Sequence, residues 1–524
     1  MVVVLEVQEL LDELEQRSTR LAERNTALER ENKILREELA LLRQHMFGRR
    51  TERIEPGQLG LYGSDGLQAA AGRAAATLAA ERRRAEKPKG HGREAFPAHL
   101  PREVVACSVP EQERACPECG KTMAQIGTET TERGHLVPAH FVVRRYEREK
   151  LACPAGHTVV TAKAPEPLVR RAKYEPSAYA HVTVSKYQDH CPLHRMQGIF
   201  KRQGAQLSKQ TMWDMLVTVD ELVAQPVLEE MRRELLESEV LQSDESPVRM
   251  RLEDKKGSRE TTAWVWRSLR EELPGRVLVR FELGKSRDGP KRMLGDWKGV
   301  LVSDGTNLHD DVARSNGIVR AGCMAHARRY FKKAFDVGTK EAALCLAPMK
   351  RLFWIERAVN RRADRLELDL AARRELRARI RAQRSAVVCA KLYETANTLA
   401  QESSTLPRSQ LGKALAYLEN QRESLEVFLN DPRVPLSNND CERDLRHVVV
   451  GRANWLVFAS PRGGEVACRL YSLVLSCKEN GVDPQAYLED VLTRVSTTPA
   501  SRIAELTPWG WAAARAAELP TTAG

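Results

Sequence analysis

No stretch of this 524-residue chain approaches the ~20 consecutive apolar residues that a membrane-spanning helix needs. The start, MVVVLEVQELLDELE, is too acidic for a secretory leader. Cysteine pairing is lacking as well. The eleven cysteines are an odd number and mostly isolated, which fits a reducing compartment and not a disulfide framework. Acidic residues fall short of basic ones, 71 against 83, leaving a formal charge of +12. Membrane, secreted and disulfide-stapled classes are therefore excluded, and the basic surplus favours a polyanionic partner, chiefly nucleic acid. At roughly 150 residues per domain, the length allows three or four folded units.

The clearest periodicity lies at the start. Leu14, Leu21, Leu28, Leu35 and Leu42 recur every seventh residue. With these at d, the a positions are Leu11, Ser18, Asn25, Asn32, Leu39 and Met46. Asparagine at a costs stability but favours two strands in register. Arg24 with Glu29, Glu31 with Arg36, and Glu38 with Arg43 supply opposite charges at g and the following e. The seam is narrower than the apolar stripe of a helix packed on its own domain. Residues 1–50 therefore read as a leucine-zipper coiled coil that makes a parallel homodimer. The Gly-, Ala- and Pro-containing stretch that follows, with RRRAEKPKGHGR at 82–93, reads as a basic linker over 51–104.

Residues 105–165 are marked by cysteine. CPECG at 116–120 is a tight knuckle, and CPAGH at 153–157 offers a second pair of ligands. Cys116, Cys119, Cys153 and His157 make a sulfur-rich tetrahedral set suited to one structural Zn2+, with Cys107 a substitute for one ligand. The alternative is a reduced CxxC beside an unrelated cysteine. Residues 166–236 read as helical. There PLHRMQGIFKRQG (192–204) precedes AQLSKQTMWDML (205–216), which suggests a helix–turn–helix with Ser208 as N-cap. Such a unit would present Lys209 and Gln210 to a DNA groove, whereas the same pattern also makes an ordinary helical hairpin.

From residue 238 the pattern becomes short apolar runs. EVLQS (239–243), TAWVWRSL (262–269), RVLVRFEL (276–283), GVLVS (299–303) and GIVRAG (317–322) read as strands, with a helix-sized gap at 286–297. Asp244 is expected just past the end of the first strand and Asp304 just past the fourth. Glu442 comes later, where the polar SNND (437–440) opens a helix. Converging, these three carboxylates would hold two Mg2+ ions for in-line phosphoryl displacement. Any three of 71 acidic residues can be picked out, so the order of strands carries the weight here. Three strands, a helix and a fourth strand bearing an aspartate suggest an RNase H-like topology.

The sequence resembles the insertion-sequence-66 (IS66) group of DDE transposases over nearly its whole length. The zipper running into MFGRRTER (46–53), GHGREAFPAHLPREVV (90–105) before CPECG, and the long stretch KAPEPLVRR through KQTM (163–212) carry the likeness. So do SDES (243–246), CMAHARRYF (323–331), SNNDCERDLRHVVVGRANWLVFASPRGGE (437–465) and SLVLSCKENGVDPQAYLEDVL (472–492). The resemblance implies a multidomain α+β chain with an N-terminal coiled coil and a small zinc-binding module. It also implies an RNase H-like α/β catalytic domain interrupted by a helical insertion. The catalytic core would occupy 237–336 and 431–470, with the insertion at 337–430 and a C-terminal family region at 471–524. The resemblance places the acidic triad on Asp244, Asp304 and Glu442. It matches Cys323 and His326 to a CxxH feature that supports the active-site core. It further implies that Arg446, Arg452 and Asn454 either contact DNA phosphates or brace the glutamate helix. Two departures stand out: the second zinc pair is Cys153 and His157 where the family usually has CxxC, and Asp304 is followed by Gly-Thr-Asn instead of a tyrosine-containing stretch.

The implied activity is binding of terminal inverted repeats followed by Mg2+-dependent strand cleavage and transfer. The implied partners are double-stranded DNA, a second copy or larger assembly, and accessory insertion-sequence proteins, in the bacterial cytoplasm at the nucleoid. A non-catalytic DNA-binding regulator and an inactive transposase copy are the competing readings. A regulator, however, has no use for 250 further residues that end in an ordered acidic triad.

Overall fold

The computed structural model describes residues 2–47, 141–152, 159–163, 165–170, 172–251, 258–269, 271–273, 275–402 and 405–518. The heptad region forms one uninterrupted helix, Val2–Phe47, about 70 Å long at 1.5 Å per residue. Leu21, Leu28, Leu35 and Leu39 on its seam are each about half exposed within the single chain. One residue off the seam is committed: Glu37 is buried, and its Oε2 accepts from the backbone N–H of Gln410 at 2.9 Å. A carboxylate there offsets the positive end of the Gln410–Asn420 helix.

A short hairpin follows, β1 (Lys150–Ala152) antiparallel to β2 (Val159–Thr161). Four helices come next, Pro176–Tyr187, Leu193–Arg202, Lys209–Val219 and Gln225–Leu235. The turn between the second and third contains Gly204 at φ +84°, where a side chain would be strained. Ser208 caps the third helix by accepting from Thr211 N at 3.0 Å.

The centre of the molecule is a mixed sheet. Its strands are β3 (Val240–Arg251), β4 (Ser258–Ser268), β5 (Val277–Glu282), β6 (Val300–Val302) and β7 (Val319–Ala321), in the order β5-β4-β3-β6-β7. The first three are antiparallel neighbours, while β6 and β7 run parallel to β3. The five apolar runs all become strands, and the gap before β6 holds the helix Asp288–Leu294. A sixth strand, β8 (Val457–Phe458), pairs parallel with β3 at Arg249 and Met250.

Both faces of the sheet are covered. Leu241 and Leu301 belong to one core, with Leu470, Tyr471 and Val474 of the helix Pro461–Glu479. Val240, Val300 and Val302 belong to the other, with Phe331 and Phe335 of the helix Met324–Asp336. That alternation is the period of two expected when both faces are buried. The second core continues into four helices, Ala342–Arg365, Ala386–Gln401, Gln410–Asn420 and Arg422–Asn430, while the helix Leu370–Ile380 packs through Leu376 in a small separate cluster with Ile355, Val359 and Ala363. These fill the region expected to be helical. No helix among the described residues is long and apolar enough to cross a membrane.

Candidate active site

Register places the two aspartates side by side. On β3 and β6 the last parallel pair is Gln242 with Val302. Asp244 lies two residues further along β3, on the face that carries Val240, and Asp304 lies two residues past Val302, near enough for its charge to act on Asp244. The expectation that Asp244 follows the end of its strand needs correcting: β3 continues to Arg251, and Asp244 pairs with Val265 of β4. Asp244 is past the end of the ladder with β6 but inside the ladder with β4. The antiparallel hairpin carries β3 on through a polar segment that an apolar run does not reveal.

Where β6 leaves β3, side chains of other segments take over its edge. Asn438 Nδ2 donates to Ser243 O at 2.8 Å, and Gln242 Nε2 donates to Ser437 O at 3.2 Å. Arg452 reaches the same edge, donating to Ser246 Oγ at 2.7 Å and to Pro247 O. These contacts hold both ends of the helix Asn439–Trp455 against β3. Glu442 lies in the first turn of that helix and so arrives beside the aspartates. Gly451 permits the close approach behind it, since a Cβ there would lie 2.0 Å from Tyr471 Oη.

The Asp304 loop is clamped separately. Arg320 Nη2 donates to Ser303 Oγ, Asp304 O and Thr306 O at 3.2, 3.3 and 2.9 Å, while its Nη1 pairs with Asp310 at 2.6 Å. Asp304 Oδ1 accepts from Thr306 N at 3.1 Å. Asp244 Oδ1 accepts from Glu245 N at 2.9 Å. Burial first, then the negative charges of Glu442 and Asp304, push the Asp244 carboxyl up to about 8. A fourth acid, Glu245, is raised by burial and by Asp304, and its partner is Lys285 at 3.0 Å. Converging like charges of this kind call for a cation.

The helix Met324–Asp336 borders the glutamate. Donor atoms of Cys323, His326 and Glu442 all lie within 4.8 Å of one another, and the two aspartates stand outside this group. Cys323 is fully buried and its Sγ accepts from Asn438 N at 3.2 Å. His326 Nδ1 is 3.4 Å from Glu442 Oε1, without hydrogen-bond geometry. Arg329 pairs with Glu442 Oε2 and lies 3.0 Å from His326 Nε2. Burial, then Arg329, lowers the His326 pKa. Sequence reasoning passed over Arg329. Its position three residues after His326, on the same helix face, was the available signal.

The residues expected at DNA fall into two groups. Lys209, Gln210 and Arg446 are exposed, with Gln210 also donating to Asp214 at 2.8 Å. Arg452 instead engages β3, and Asn454 accepts from Arg195 at 3.3 Å. The zinc candidates Cys116, Cys119, Cys153 and His157 lie outside the described residues.

Four family models match the chain. The model described as "Transposase IS66 family" covers 171–466, a span that contains all three acids, and "IS66 C-terminal element" covers 472–509. "Zinc-finger binding domain of transposase IS66" covers 113–155, which includes three of the four zinc candidates and stops before His157. "Transposase C of IS166 homeodomain" covers 34–105. Among curated proteins, the chain is 32% identical to "Uncharacterized protein y4qI" of Sinorhizobium fredii, over 81% of this chain and 79% of that one. It is 29% identical to "Uncharacterized protein y4hP" of the same organism, over 82% and 78% respectively.

Proposed function

Because the chain belongs to the IS66 family of insertion-sequence transposases, we propose that it cuts and joins DNA through a DDE triad of Asp244, Asp304 and Glu442. The observation that carries this reading is the register of β3 and β6, which sets the two aspartates abreast with Glu442 delivered to them. The strand order β5-β4-β3-β6-β7 supports an RNase H-like catalytic core. The donor set fits Mg2+: all three ligands are hard carboxylate oxygens, Asp244 is driven toward protonation by burial and by its neighbours, and Glu442 Oε1 is buried without a hydrogen-bond partner.

When bound, a pair of Mg2+ ions would supply nucleophile activation and leaving-oxygen stabilisation. The chain's own part is to hold those oxygens at fixed points. The β3–β6 ladder fixes Asp244 and Asp304, Arg320 clamps the Asp304 loop, and Asn438 and Arg452 fix the glutamate helix. In cleavage, a water oxygen bonds to phosphorus, the P–O3′ bond breaks and the 3′ oxygen leaves as a hydroxyl. In joining, that 3′-hydroxyl attacks a target phosphodiester and displaces another 3′ oxygen. The deciding assay is cleavage of labelled DNA carrying the ends that flank this gene, with Mg2+. Metal-dependent cutting at an end should vanish in Asp304→Ala while DNA binding survives. Unaltered cutting by the variant would remove the triad reading.

The DNA surface is proposed to include the exposed Lys209, Gln210 and Arg446, facing terminal repeats or target. Each phosphate neutralised contributes about −0.9 to the slope of log affinity against log salt. Lys209→Ala and Arg446→Ala should each flatten that slope by roughly one unit. An unchanged slope would take the residue off the interface.

The half-exposed zipper leucines support a parallel dimer, and the zinc-finger match supports one structural Zn2+ on Cys116, Cys119, Cys153 and His157. The purified chain should therefore sediment as a dimer or larger and carry one zinc per protomer. A monomer at micromolar concentration, or a zinc-free protein, would overturn the respective reading.

A further inference from the structure

The glutamate of the site is already neutralised by a residue of its own fold. Arg329 pairs with Glu442 Oε2, its Nη1 lies 3.0 Å from His326 Nε2, and His326 Nδ1 lies 3.4 Å from Glu442 Oε1. Glu442, Arg329 and His326 thus close a ring. His326 and Arg329 sit three residues apart on the helix Met324–Asp336, so one rigid element presents both to the carboxylate. The Arg329 side chain is 36% exposed and that of Glu442 is 21% exposed, so the pair has a route to solvent. Oxygens facing a buried arginine would be committed for good, but this pair is open enough to part.

We propose that Arg329 is the resident counter-ion of Glu442 and must be exchanged for the divalent cation before the site is complete. The proposal rests on the reading of Glu442 as a metal-holding residue. With Arg329 in place, only Oε1 of Glu442 lacks a hydrogen-bond partner, and a cation needing Oε2 competes directly with the guanidinium. Arg329 is therefore a positioning residue with two consequences. It keeps the carboxylate aimed into the cleft without a cation, and it weakens cation binding until it is displaced. A guanidinium suits the task because its planar fork reaches a carboxylate and a ring nitrogen from separate nitrogens in a fixed geometry.

Binding of Mn2+ to the full-length protein, followed by loss of the free-ion electron paramagnetic resonance signal, reads this without any turnover. Arg329→Gln should bind Mn2+ at the triad roughly fivefold more tightly than the parent, the scale of a partly exposed ion pair. Arg329→Lys should fall between the two. General damage to the site would weaken binding, so tightening cannot arise from misfolding. Equal or weaker Mn2+ affinity in Arg329→Gln overturns the exchange while leaving the triad intact. If Glu442→Gln and Asp244→Asn leave the parent's Mn2+ binding unchanged, the triad reading itself fails, and the exchange with it.

Discussion

Asp244→Asn should abolish strand cleavage, by about a thousandfold or more, while raising the melting temperature of the metal-free protein at alkaline pH. The second effect follows from the burial of this carboxyl and its repulsion by its neighbours. In the unfolded chain the carboxyl titrates near 3.9, whereas burial, Glu442 and Asp304 push it up to about 8 in the fold. The folded state therefore holds the proton more tightly. Its contribution to stability is fully present below the unfolded value and is lost as pH rises through about 8. Metal-free parent protein should lose stability progressively from near pH 4 to above pH 8. The asparagine variant lacks that loss and should be the more stable by about 1–3 kcal/mol at pH 9, a few degrees in melting temperature. The figure is set below the full shift because three neighbouring carboxylates share the charge. Saturating Mg2+ should reverse the ranking, since the parent gains binding free energy that the variant has lost. Thermal melts at pH 5 and pH 9, with chelator and with Mg2+, check all of this. A variant that melts at or below the parent in chelator at pH 9 would show that burial and neighbouring charge do not raise the Asp244 carboxyl.

How much of this site was legible beforehand depended on the kind of signal each residue gives. Apolar runs exposed β6, which is buried throughout, and β7, which enters the core at Ala321, and the residue after VLVS followed as Asp304. The continuation of β3 was hidden. SDESPVRMR has too many polar residues and a proline, and it stays a strand because β4 pairs with it as far as Arg251. Pairing between distant segments is not written in either segment alone. The zipper and the Ser208 cap are local devices, and both were readable from spacing. Arg320, Arg329 and Asn438 act through tertiary contacts across 14 to 195 residues. Only Arg329 has a local mark, its spacing from His326 on one helix; nothing local distinguishes Arg320 among so many arginines.

The largest stability loss should come from a residue that touches none of the three acids. Arg267 of β4 is fully buried, with Nη1 on Asp444 at 2.6 Å and Nη2 on Glu479 at 3.1 Å. Asp444 lies two residues after Glu442 on the same helix, and Glu479 ends the helix that packs across the sheet. One guanidinium therefore ties the glutamate helix, the helix Pro461–Glu479 and β4 at a single point. Arg267→Met keeps an unbranched, though shorter, side chain but takes the guanidinium away from two buried carboxylates. Breaking a buried pair in this way costs about 3–5 kcal/mol. Urea denaturation should show the loss as a lower midpoint. Residual folded protein should also need more Mg2+ for half-maximal cleavage, because the helix that aims Glu442 has lost its anchor. The cost belongs to the stranded carboxylates and not to the absence of an arginine. Adding Asp444→Leu and Glu479→Leu to Arg267→Met should thus recover most of the stability, since apolar replacements of a whole buried ion cluster are often neutral or better. Recovery of stability without recovery of the Mg2+ requirement would separate the two roles, packing in one case and orientation of Glu442 in the other. A single variant as stable as the parent would mean that water reaches this triad and that its charges are screened.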